Sequence, residues 1–237
     1  VIGIDYNLAS KDSKWIGKYY FHKSFSPSEN NKDFSMGIKT SYNSRNLTFR
    51  VSGLYVGDNY RSDLGFIKRK GILKINPNIG YKFWPENKKI QSHGFEITPV
   101  IIWRPELNYQ LSDYFIISRW EGQFNSGDSF NLEMKNQYTY LYDDFDPTRT
   151  ENSIPLPANS DYNYTHFEIS YNNYFSSNEF TYNVEGKFGD FYNGSELSTE
   201  ERLSYRIQPK LLQDLNSHLQ KIYIGQHLYN IVIKEKI

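Results

Sequence analysis

Apolar and polar residues alternate with a period of two along most of this chain. In residues 46–55, Leu47, Phe49, Val51, Gly53 and Tyr55 fall on one side, and Asn46, Thr48, Arg50 and Ser52 fall on the other. Side chains of a strand point to opposite faces in turn, so this run predicts a strand with two unlike surroundings. The pattern recurs in residues 2–8, 15–21, 34–42, 73–83 and 95–104, and again through 113–124, 130–138, 165–174, 180–188 and 202–209. About eleven strands are expected. Most are joined by short polar stretches that suit antiparallel hairpins, such as "SENNKD", "YNSRN", "PENKKIQ" and "FNSGDS". Two connections, 57–71 and 141–163, are much longer than a hairpin turn, which marks them as functional or disordered loops.

The alternation leaves open whether the apolar face meets a protein core, as in a soluble β-sandwich or jelly roll, or lipid. Aromatic residues tip the balance. The chain has 21 Tyr, 16 Phe and 4 Trp, and many stand at strand ends: Tyr19 to Phe21, Tyr42, Tyr55, Phe83 with Trp84, Trp103, Phe124, Tyr138 with Tyr140, Tyr171 and Phe188. Aromatic girdles at both interfaces belong to transmembrane barrels. The near absence of alanine, found only at Ala9 and Ala158, removes the best helix former. The fold expected is therefore all-β, an antiparallel up-and-down transmembrane β-barrel. Its strands need only every second residue apolar, so a polar chain is no objection.

Charge and chemistry mostly exclude functions. Lys and Arg number 27, as do Asp and Glu, so no global field favours nucleic acid. Without cysteine there is no disulfide, thiolate metal site or thiol nucleophile. His22, His93, His166, His218 and His227 fall in no ligand spacing, and no nucleophile elbow, phosphate loop or dinucleotide fingerprint occurs, so neither a metal nor a cofactor is expected. Asp143, Asp144 and Asp146 lack the spacing of a calcium loop and read as a solvated acidic stretch. The most motif-like segment is 57–71. Its basic residues Arg61, Lys68, Arg69 and Lys70 can fold inward and pair with Asp58 and Asp63, or stand in an exposed loop. With Arg50 on the polar face of its strand, the candidate lumen or loop residues are Arg50, Asp58, Arg61, Asp63 and Arg69.

The stretch "YVGDNYRSDLGFIKRKGILKINPNIGYKF" resembles a family of outer-membrane β-barrel domains of unknown function from Bacteroidota-type bacteria. In that family the barrel follows a domain similar to family-nine carbohydrate-binding modules. The matching features are Gly57-Asp58-Asn59 at a strand end, Asp63 before Gly65-Phe66-Ile67, and a basic pair ending in Arg69. The flanking "IGIDYNLASKDSKWIGKYYFHKS" and "KFGDFYNGSELSTEERLSYRIQP" are similar to the family as well. The resemblance implies an outer-membrane location, the bilayer as partner, and a non-enzymatic transport, binding or scaffold role with a glycan or envelope protein. Sugar binding does not transfer, because the carbohydrate-binding-like domain is not in this sequence. The barrel domain is expected over 1–212. The segment 213–237 loses the alternation and reads as an altered or truncated end, which makes the chain an incomplete barrel fragment. A carbohydrate-binding sandwich and a glycan hydrolase using loop carboxylates are the competing expectations.

Overall fold

The computed structural model describes residues 1–25, 31–62, 65–86, 88–147, 153–173 and 180–205. Its eleven strands are β1 (Ile2–Ala9), β2 (Trp15–Lys23), β3 (Phe34–Asn43), β4 (Leu47–Val56), β5 (Ile72–Phe83), β6 (Ile90–Arg104), β7 (Gln110–Phe124), β8 (Ser129–Leu141), β9 (Ser160–Asn172), β10 (Phe180–Phe191) and β11 (Gly194–Tyr205). A 3-10 turn, Pro105–Leu107, follows β6. All eleven strands form one sheet in sequence order, an antiparallel up-and-down arrangement. Among the described residues this sheet does not close, since β1 pairs only with β2 and β11 only with β10. The segment 213–237 lies outside the described residues.

The expected strand count is met, with three main shifts. β9 begins at Ser160, inside the long connection expected over 141–163, β6 begins at Ile90, inside the stretch expected as a linker, and β11 begins at Gly194, well before the expected 202. β6 and β11 also carry on where the local pattern fades. β5 and β6 run through Pro77 and Pro99, although a proline removes a ladder donor. A side chain stitches the two together at that level, where Asn76 Nδ2 donates to the Pro99 carbonyl at 2.9 Å.

Chain contacts define two compact units, one of Val1–Tyr81, Glu96–Ser118 and Asn136–Tyr164, the other of Lys82–Phe95, Arg119–Lys135 and Thr165–Ile237. In each, burial runs opposite to a water-soluble sheet. In the first unit the polar-face residues Ser35, Ser41 and Asn78 are buried, while Ile4, Met36, Ile38 and Ile79 on the other face are exposed. Ile4 is 74% exposed and Asn78 is 5% exposed. In the second unit Ser92 and His166 are buried, while Phe95, Ile169, Val184 and Leu197 are exposed.

Aromatic rings stack along the apolar face near strand ends. Phe34 stacks on both Phe21 and Tyr55, and Trp15 packs on Tyr42, at opposite ends of the same strands. In the second unit Phe83 stacks on His93, Trp120 meets Phe95 and Phe130, and Tyr171 stacks on Tyr182. On the polar face, glycine makes room for rings. A Cβ on Gly37 would stand 2.3 Å from the ring of Tyr20, its cross-strand partner, so only glycine lets that ring lie flat on the sheet.

Candidate functional site

The connection 57–71 in the first unit is anchored by both apolar and polar contacts. It leaves β4 at Val56, which is buried, and Gly57 donates its N–H to the Phe34 carbonyl at 3.0 Å. A turn closed by Tyr60 N to Gly57 O at 3.2 Å then sends the ring of Tyr60 into a small apolar cluster with Val56, Ile72 and Ile102. Ile67 packs against the same cluster from the far half of the loop. Two apolar anchors thus pin the loop to the end of the polar face.

Polar contacts complete the clamp. Arg69 donates to Asp113 at 2.7 Å and to the Ser112 hydroxyl at 2.6 Å, and that hydroxyl donates in turn to Asp113 at 2.8 Å. The other oxygen of Asp113 accepts from Thr139 of β8. Arg104 donates to the Lys70 carbonyl at 3.0 Å while its guanidinium lies over the Tyr142 ring at 5.3 Å. Charged hydrogen bonds of this kind are the strong ones, and one carboxylate here takes three of them.

At the start of the loop, Asp58 lies against Gly71, whose φ of +63° lets the chain enter β5 where any Cβ would collide with the carboxylate. Burial, and then the negative charge of Glu106, hold the Asp58 carboxyl above the ordinary carboxylate range. Lys32 answers Glu106 directly, and this contact raises the lysine above its usual value. The turn 57–60 is also tied to the preceding loop, through Asn59 N to Lys32 O at 3.1 Å and Arg61 N to the Ser24 hydroxyl at 3.1 Å.

The five candidate residues have different fates. Arg69 folds onto Asp113 of β7, and not onto Asp58, which lies against Gly71 beside Glu106. Arg61 is exposed, and Asp63 lies outside the described residues. Arg50 stands on the polar face of β4 opposite Ser41 and Asn78, and its Nε is buried without a hydrogen-bond partner. Asp113, Ser112, Thr139 and Glu106 were missed by sequence reasoning. Asp113 and Thr139 occupy polar positions of alternating strands, but nothing local tells which loop reaches them.

The polar face of the second unit carries a different arrangement. Arg119 donates through two nitrogens to Glu133 at 2.6 and 3.0 Å, Lys187 pairs with Glu196 at 3.1 Å, and Lys82 with Glu121 at 3.2 Å. A hollow of about 370 Å³ opens beside them, lined by Lys82, Ser92, Arg119, Glu121, Gln123 and Asn131 among others. Among the described residues no group of three His, Asp or Glu side chains is placed to hold a metal ion. Among the described residues no helix is long and apolar enough to cross a membrane, which has no bearing on strands that cross one. Compared with protein-family models, curated proteins and solved structures, the chain matches none.

Proposed function

We propose that this chain is a membrane-spanning β-barrel domain of a bacterial outer membrane, with a non-enzymatic transport, binding or scaffold role. The observation that carries this reading is the inverted burial: isoleucines and phenylalanines of alternating positions are bare, while serines and asparagines between them are covered. Full burial of such an apolar side chain is worth roughly 1.5–3 kcal/mol, so a face of them left to water would be costly. Lipid removes that cost and leaves the polar face to water.

Three features support it further. Ring stacks stand at the strand ends with aliphatic residues such as Ile38, Ile79 and Ile97 between them, as expected of interfacial girdles. Strands of 12 to 15 residues, β5 through β10, exceed the ~9–11 that a tilted strand needs to cross. The two longest connections, 57–71 and 142–159, leave the same end of the strands, which also carries the short 105–109 and 192–193, while 44–46 and 125–128 are short turns at the other end; long loops confined to one end are a barrel feature. A soluble sandwich would cover the apolar face with a second sheet, and all described strands belong to one. The link to glycans or envelope proteins as partners rests on the family resemblance.

The test is retention in urea-washed outer membranes, together with gel mobility before and after boiling. Membrane retention with heat-dependent mobility is the expected result. Recovery in the soluble fraction with unchanged mobility would sink the reading.

A further inference from the structure

We infer that the polar face of β2–β5 is a binding surface for a ligand bearing two or more oxyanion groups, with Lys18, Lys39 and Arg50 as the residues that recognise it. The inference rests on the proposed function in one respect, that this face is open to water. Its basis is the register. Lys18 of β2 stands directly opposite Lys39 of β3, so two ammonium groups start from Cβ atoms roughly 4.5–5.5 Å apart, an arrangement that is destabilising when nothing else intervenes. Arg50 of β4 stands opposite Ser41, two residues along β3 from Lys39, which places it in the diagonal position at roughly 7–8 Å. Lys74 of β5 joins the same face opposite Leu54.

None of these four cations has an ion pair among the described residues, and the Nε of Arg50 is buried without an acceptor. Of the acids on the flanking strands, Asp5 of β1 is engaged by His22 at 3.1 Å, and Glu96 of β6 accepts from the Thr98 hydroxyl at 3.5 Å. Elsewhere on the polar faces the chain provides counter-ions, as Asp113 for Arg69, Glu133 for Arg119 and Glu196 for Lys187. Around the unpaired cations it places small neutral groups instead, with Ser52 opposite Lys39 and Ser41 opposite Arg50. A guanidinium fork beside two ammonium groups suits phosphate, sulfate or carboxylate groups spaced along one ligand. Rings of Lys and Arg serve anion and phosphate pores in this way.

The test uses the full chain refolded in detergent micelles and titrated with inorganic tripolyphosphate by calorimetry at low and high salt. Binding that weakens with salt is expected, with a loss of about tenfold or more in Lys39→Gln and in Arg50→Gln. Lys82→Gln, whose lysine already has Glu121, should keep the parent affinity. No binding by the parent, or equal weakening in all three variants, would overturn the inference. Should Arg50→Gln lose the parent circular dichroism, the exposed Lys39 carries the decision alone. Membrane retention without tripolyphosphate binding would overturn this inference only. Binding by a protein recovered in the soluble fraction would overturn the membrane reading and leave the surface standing.

Discussion

The polar faces of the two units are built from the same alternation and treat charge in opposite ways. Across β2–β5 the first unit holds Lys18, Lys39, Arg50 and Lys74 without carboxylate partners, whereas the second unit pairs Arg119 with Glu133, Lys187 with Glu196 and Lys82 with Glu121. The first unit also contains its own counter-example in the loop clamp, where Asp113 gathers Arg69, Ser112 and Thr139. The difference shows that this chain can satisfy a polar-face cation when the cation holds structure together. A cation left with serines around it is therefore available to something else.

The largest test of this contrast concerns the assignment of faces on which it depends. Val51→Arg should cost ~2–4 kcal/mol if Val51 meets the middle of a bilayer, while Arg50→Gln should stay within about 0.5 kcal/mol. Urea unfolding of protein refolded into lipid vesicles reads both, and equal damage would remove the distinction between the faces.

Next in size is the clamp. Asp113→Asn strips the charge from a carboxylate with three donors and should cost about 1.5–3 kcal/mol. It should also free the loop, so that trypsin cuts at Lys68, Arg69 or Lys70 well before the parent is cut. An unchanged cleavage pattern would mean that Tyr60 and Ile67 hold the loop without help from Arg69.

A smaller pair of changes sharpens the comparison between units. Glu133→Gln removes the carboxylate that Arg119 grips through two nitrogens and should destabilise by about 1 kcal/mol, at the modest end because Arg119 is partly open to water. Lys39→Gln relieves repulsion with Lys18 and should be neutral or stabilising by a few tenths of a kcal/mol. Losses of the same size from both, in the same urea titration, would show that hidden partners exist for Lys39 too.

The smallest expected effect lies in pH. Burial and Glu106 raise the Asp58 carboxyl in the folded protein, so the folded state binds that proton more tightly than the unfolded one. The contribution of Asp58 to stability is then complete below the ordinary carboxylate value and falls as pH rises through the elevated folded value. Asp58→Asn should abolish this part of the slope and leave the protein as stable as the parent or more so near neutrality. Melting temperatures of both proteins between about pH 4 and 8 decide it, and parallel curves would contradict the assignment.

Much of this molecule can be read residue by residue because a strand repeats every two residues. That local period separates Leu47, Phe49 and Val51 from Thr48, Arg50 and Ser52, and it counts eleven strands. It weakens where one face has almost no apolar residue. The part of β11 from Gly194 to Glu200 presents Leu197 among Ser, Thr and Glu, and its place in the sheet comes from pairing with β10 rather than from its own pattern. The start of β6 is similar, since His93 takes an apolar-face position by stacking on Phe83.

What no local pattern could contain is which residues meet. The opposition of Lys18 and Lys39, the seat of the Tyr20 ring on Gly37 and the reach of Arg69 to Asp113 each depend on the offset between strands or on a loop crossing to another strand. Period two fixes the face of a side chain, and a slip of one residue between strands would move every one of these partners. The sequence by itself thus determined the two faces and what each prefers to touch. Only the tertiary register decided which charges are neutralised and which remain for a ligand.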